Sequence, residues 1–210
     1  MSQLTIQKVY RVMTRISSRG PDWSFLDWNG IDAQPLSACR WSPNPPPRAT
    51  VQVVWIANEG LCIRMESFAV PTRVVHQAQN APVWEDDCLE AFLSFDGKHY
   101  IHLAANPNGI LYGSFGLNAD KQVPLSELGL PLPNTEVKRG AEGWSVVLFI
   151  PDVGAQILYG AVPGRGTVIH GNFCARGEQT ALPYYASWSP IPTQTPDFHR
   201  SEWFGNLIIE

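Results

Sequence analysis

The chain has 210 residues, enough for one large domain that buries a substantial core without disulfide staples. Charged residues make up only 16% and the formal net charge is -4, so there is no basic field to hold phosphate backbones or anionic lipid, which argues against nucleic acid and membrane surfaces as partners. With eight tryptophans in so sparsely charged a chain, the surface must rely on uncharged polar and aromatic groups, a composition suited to a neutral polar ligand.

The first twenty residues carry basic side chains but no continuous apolar core and no small-residue cleavage site, so they do not read as a secretory signal. No later stretch approaches the roughly 18 apolar residues of a membrane span, and a cytoplasmic protein is expected. Cys39, Cys62, Cys88 and Cys174 are too scattered for the close pairs of zinc sites and are read as free, buried thiols.

Eighteen prolines and seventeen glycines cut the chain into short segments, few of them long enough for a helix with an apolar stripe. The opening segment places Leu4, Ile6, Tyr10 and Val12 on one parity, the period of a strand with one buried face. A proline-rich stretch over 42–48 reads as a stiff connector. Runs over 50–56 and 60–68 are separated by Asn58, Glu59 and Gly60 and predict a hairpin, with Leu61, Ile63 and Met65 on one face and Arg64 and Glu66 on the other.

Next comes the most acidic stretch, Trp84 to Phe95. From Cys88 onward Leu89, Ala91, Leu93 and Phe95 share one parity, and Cys88, Glu90, Phe92 and Ser94 share the other. Glu90 is therefore expected to face away from the core. Trp84 stands six positions upstream, roughly 20 Å away in a fully extended chain, so Glu85, Asp86 and Asp87 must bend to bring the indole near Glu90. An indole face beside an outward carboxylate suits a sugar, whose C–H groups stack on the ring while its hydroxyls donate to the acid. The competing reading packs Trp84 under a loop and pairs Glu90 with an arginine such as Arg200.

Two further runs meet at Asn106-Pro107-Asn108-Gly109, a turn at every position. A single helical turn before Gly129 and strands over 143–151, 167–176 and 202–210 complete about nine or ten strands. Many short strands with Gly/Pro turns predict an all-β, two-sheet antiparallel sandwich of jelly-roll type, as one domain over 1–210. Of the adjacent Tyr184 and Tyr185, one should point inward and one outward. Asn172 reads as a partner for neighbouring backbone, and His199, Arg200 and Glu202 as a charged cluster anchoring the last strand.

The segment over 171–209, with its Trp-Ser-Pro and Pro-Asp-Phe-His-Arg elements, together with the Trp84 stretch, the Asn-Pro-Asn-Gly turn and the 143–151 strand, resembles the family 9 carbohydrate-binding modules from about residue 50 to the C-terminus. The resemblance implies a non-catalytic β-sandwich that holds one terminal sugar between two tryptophans, with structural calcium. Trp84 matches the first clamp residue, Glu90 the acid six positions later, and Trp188 the second clamp. The chain departs from the pattern in two places. Ile110 and Leu111 stand where a sugar-contacting arginine is expected, and Tyr185 stands three positions before Trp188 in place of an asparagine. Carbohydrate-binding candidates are thus Trp84, Glu90, Trp188 and Tyr185, with a saccharide as partner. Asp86, Asp87 and Asp96 offer hard oxygen donors for calcium, without EF-hand spacing.

Two rival readings stay open. A glycoside hydrolase would use Glu90 with Glu202 or Asp197, although no hydrolase motif is present. A haem-binding sandwich would take Met65 and His102 as axial ligands.

Overall fold

The computed structural model describes residues 7–17, 23 and 26–210. Leu4 and Ile6 of the opening strand lie outside them. Among the described residues thirteen strands form one curled sheet: β1 (Val9–Arg15), β2 (Gln34–Pro35), β3 (Ala49–Ile56), β4 (Gly60–Ser67), β5 (Asp87–Ser94), β6 (Tyr100–Ala105), β7 (Leu111–Gly116), β8 (Gln122–Pro124), β9 (Asn134–Arg139), β10 (Trp144–Pro151), β11 (Val168–Gly177), β12 (Tyr184–Ser187) and β13 (Gly205–Ile209). The order is β8-β7-β6-β5-β11-β13-β1-β3-β4-β10-β9, with β12 also on β11 and β2 on β3.

The all-β expectation holds, and β1 shows how the two layers join. Val9–Val12 pair with Asn206–Ile209 of β13, while Met13–Arg15 pair with Val54–Ile56 of β3. One strand thus begins in one layer and ends in the other, as strands at sandwich corners do. Both pairings are parallel, which corrects the purely antiparallel expectation. Side-chain period reports which face is buried and says nothing of strand direction. The count exceeds nine or ten because β2, β8 and β12, of two to four residues, are too short to show a period.

Layer one (β5, β6, β7, β11, β13) and layer two (β3, β4, β10) face each other across the core. Leu89, Ala91, Leu93 and Leu103 come from the first, and Val51, Val53, Leu61, Ile63, Met65, Val146 and Leu148 from the second. The predicted hairpins form: Asn58 takes φ +62° between β3 and β4, and Gly109 φ +77° between β6 and β7, both left-handed positions that Asn and Gly tolerate. The helical turn Leu125–Leu128 ends at Gly129, at φ +72°. One helix was not expected, α1 (Asp152–Tyr159), which is amphipathic over two turns only and ends on Gly160, again left-handed.

Two carboxylates tie the segment that carries Trp84 to the sheet. Asp87 Oδ2 accepts the backbone N–H groups of Thr72 (2.6 Å) and Arg73 (2.8 Å), and its Oδ1 accepts the hydroxyl of Tyr184 at 2.8 Å. Asp86 accepts from Val75 N, His76 N and Asn106 Nδ2 at 2.9 to 3.0 Å. Trp84 then sits in a single 3-10 turn, Val83–Glu85, just ahead of β5. The acidic run is therefore a set of anchors, and it supplies the bend that the sequence required.

Candidate functional site

The outer face of layer one collects the polar chemistry of the molecule. Glu90 stands at its centre, directly opposite Ala104 of β6 and Cys174 of β11. These short neighbours let the diagonal residues reach it. His102 Nε2 lies 2.7 Å from Glu90 Oε2, and Arg176 Nη1 lies 3.6 Å from Oε1. Burial pushes the Glu90 carboxyl up, but Arg176 and His102 outweigh it and the group ends below the ordinary carboxylate range. Burial likewise disfavours the Arg176 cation, and Glu90 and Glu178 more than restore it.

Three atoms of this cluster, Glu90 Oε1, His102 Nδ1 and Arg176 Nε, are buried without a hydrogen-bond partner among the described residues. An unmade hydrogen bond in such a place costs roughly 1–3 kcal/mol, so the cluster is short of donors and acceptors that something else can supply. His199 closes one side, 4.9 Å from His102 between ring centroids, with its Nδ1 2.8 Å from the Tyr100 hydroxyl. Burial, reinforced by the neighbouring His102, lowers the His199 pKa to about 4.

Aromatic rings flank the cluster. Half-buried Trp84 meets Tyr112 edge-on at 5.0 Å, and Tyr112 lies 5.4 Å from His102. On the other flank half-buried Tyr185 and Trp41 pack with buried Phe198, and the Arg176 guanidinium carbon stands 5.9 Å from the Tyr185 ring centre and 5.8 Å from that of Phe198.

Of the four residues expected to bind sugar, Trp84, Glu90 and Tyr185 belong to this face. Trp188 does not. It is fully buried in the sandwich interior between Tyr10 and Phe173, with its indole N–H directed at Gln34 Oε1. A Cβ at position 205 would lie 2.4 Å from its ring, so glycine is required beneath it. The reason is parity: three positions separate Trp188 from Tyr185, and odd separations in extended chain point to opposite faces. Tyr184, Ala186 and Trp188 go inward together. As a stacking face the second clamp is therefore corrected, and Tyr185 is the aromatic on that flank.

Glu90 needs a correction of environment. It does point away from the core, yet only 1% of it is exposed, because Ile191, Phe198 and Phe204 of the C-terminal segment cover Phe92, Tyr100 and Cys174 on that face. Its partner is Arg176 and not Arg200, which pairs with Glu202. His199 leaves the expected tail cluster for the roof of the site. Arg176, His102, Tyr112 and Trp41 were missed as a group, since strand pairing brings them together and no sequence spacing reports it. Asn172 satisfies backbone as expected, bonding Ser189 N and O.

The remaining expectations resolve from the same geometry. Asp86 and Asp87 direct their oxygens to protein donors, and Asp96 accepts from Lys98 N, His99 N and His99 Nδ1. No group of three or more His, Cys, Asp or Glu side chains suited to a metal occurs among the described residues. Met65 lies in the inner core and His102 on the outer face of the other layer, so they cannot share a haem. Glu202 is also held below the ordinary carboxylate range, its burial outweighed by Arg200. All four cysteines are free, with Cys39 exposed rather than buried.

Residues 22–209 match the sequence profile described as carbohydrate-binding family 9. A comparison with curated proteins finds no match. Among solved structures, a carbohydrate-binding candidate from Bacteroides uniformis is similar over 98% of this chain and 100% of its own, with 26% identity and a TM-score of 0.83. A family 9 carbohydrate-binding module from Caldicellulosiruptor kristjanssonii, solved with cellotriose, shares 15% identity over 97% of this chain and 94% of its own, at a TM-score of 0.64. The module from the same organism with glucose shares 16% identity over 95% of each chain, at 0.63, and at these identities the likeness is one of fold.

Proposed function

The chain belongs to carbohydrate-binding family 9, and from that premise we propose that it binds a saccharide, without catalysis, on the outer face of layer one. Trp84 and Tyr185 are the flanking stacking faces and the Glu90–His102–Arg176 cluster is the floor. The observation that carries this reading is the floor itself: an acceptor and two nitrogen atoms, buried, lacking hydrogen-bond partners among the described residues and ringed by aromatics. Vicinal hydroxyls both donate and accept, so one sugar ring can satisfy a carboxylate and a guanidinium together. Arg176, whose side chain keeps 16% exposure, links that floor to solvent.

Each stacking face contributes on the order of 0.5–1.5 kcal/mol and each charge-assisted hydrogen bond roughly 1.5–3. After the cost of ordering, micromolar to millimolar dissociation constants are expected. Calorimetric screening of neutral mono- and oligosaccharides with wild type, Trp84→Ala and Glu90→Gln tests the reading. Wild type should bind at least one sugar, and each variant should lose about tenfold or more in affinity. Equal binding by all three proteins rejects this site.

A further inference from the structure

Layer two has its own outer face, and it is shaped differently. On β4, β10 and β9 the register places Arg64 opposite Val147 and Val147 opposite Glu136, then Glu66 opposite Ser145 and Ser145 opposite Lys138. Short side chains in the middle strand between long ones on both neighbours make a trough along β10. Val147 and Ser145 form its bottom. One hollow of about 320 Å³ opens where Trp23 and Trp28 stand over Val147, and a second of about 470 Å³ continues toward Phe68 and the 140–143 turn. The two share Arg64, Lys138 and Ser145, so they are parts of one groove. Along the strand from Gly143 to Val147 it runs roughly 13 Å.

The walls are built rather than incidental. Trp23 stacks on Phe149 with ring centres 5.2 Å apart, and Gln52 Nε2 donates to the carbonyls of Trp28 (2.6 Å) and Ile31 (2.8 Å), which seats the Trp28 turn on the sheet. Gln52 Oε1 in turn accepts from Arg64. Two charge pairs along the banks neutralise each other, Arg64 with Glu66 at 2.8 Å and Lys138 with Glu136 at 3.0 Å, and Asp27, Arg139 and Glu142 leave the lining one negative charge from neutral.

We infer that this trough is a second binding site, separate from the Glu90 face, and that it takes a neutral oligosaccharide. Charge so nearly balanced gives little field for an anionic or a cationic ligand. An extended peptide is disfavoured because the trough lies on the face of the sheet, where the amides of β4 and β10 are paired on both sides and the open edge of β9 points away from the trough in the plane of the sheet. A sugar chain carries no amide ladder. Its hydroxyls can bridge the paired carboxylates and cations, and its C–H faces can stack on the indole at the closed end.

The test uses the full chain and its indole N–H resonances, which report each tryptophan separately. Wild type and Trp84→Ala are titrated with cellotriose, xylotriose, maltotriose and mannotriose at millimolar concentration. At least one trisaccharide should shift the Trp23 or Trp28 signal in both proteins, and in the exposed double variant Glu136→Ala/Lys138→Ala the midpoint of that shift should rise about tenfold. Dispersion of the same spectra checks that each variant is folded. Movement of Trp84 alone overturns this inference and leaves the first site standing; movement of Trp23 or Trp28 alone does the reverse. Silence of all three with every trisaccharide rejects both, and a peptide that moves Trp28 where no sugar does overturns the ligand class.

Discussion

The outer faces of the two layers hold their charges in opposite ways. On layer one the tail from Ile191 to Phe204 lies across the strands, so Glu90 and His102 are shut away from water, Arg176 keeps only 16% exposure, and three of their polar atoms lack hydrogen-bond partners among the described residues. On layer two the described residues Trp23 and Leu26 to Ile31 pack at one end of the face, and Arg64, Glu66, Glu136 and Lys138 remain in contact with solvent and pair locally. The same kinds of side chain therefore carry different energies. A buried pair is expensive to break because its survivor is stranded, while an open pair is worth little either way.

Several substitutions sharpen or break that contrast. The largest effect is expected within neither face: Trp188→Ala should cost about 4 kcal/mol in urea unfolding, as the loss of a large interior side chain, and should leave sugar affinity of the folded protein unchanged. A stable Trp188→Ala protein that no longer binds would return Trp188 to the site. Arg176→Met strands Glu90 and should cost about 3 kcal/mol at neutral pH. That cost should shrink in acid, where Glu90 can be protonated, and a cost that stays constant with pH would show that Glu90 is not the stranded charge.

His199 gives a pH effect of intermediate size. Its folded pKa, about 4, lies below the ordinary histidine value, so between about pH 6.5 and 4 the unfolded chain binds a proton that the folded chain does not. Stability should therefore fall by about 2 kcal/mol as the pH drops through that window, with His102, Tyr100, Glu90 and Arg176 the groups around the ring. His199→Gln should flatten the slope, measured as urea midpoints at pH 7 and pH 4.5; an unchanged slope places the titrating group elsewhere. Trp84→Ala should cost only about 1 kcal/mol of stability, since its ring is half-buried on the rim. On the open face, Glu136→Ala/Lys138→Ala should move stability by no more than about 0.5 kcal/mol, and a larger loss would mean those pairs are structural.

Much of the fold was legible because strands advertise their buried face. The parity of Leu89, Ala91 and Leu93, and of Leu61, Ile63 and Met65, located core positions that the structure confirms. The turns at Asn58 and Asn106 to Gly109 followed from residues that tolerate left-handed backbone. The same parity rule would have sent Trp188 inward, three positions from outward Tyr185, but matching Trp188 to a family position overrode it. Glu90 was placed on the correct side of its strand, and its lack of solvent was not legible, because periodicity within a strand does not tell what other segment lies on top.

By itself, then, the sequence determined an all-β chain with alternating faces, sited turns, free cysteines and a sparse charge that suits an uncharged partner. Only the tertiary structure decided that Arg176 and His102 meet Glu90, that the tail roofs them, and that β10 lies low between two charged banks. The physical reason is range. Backbone preference and side-chain period act over a few residues, whereas strand partnership is settled by burial summed over the whole core, and sites on a sheet face are made of residues that partnership brings side by side.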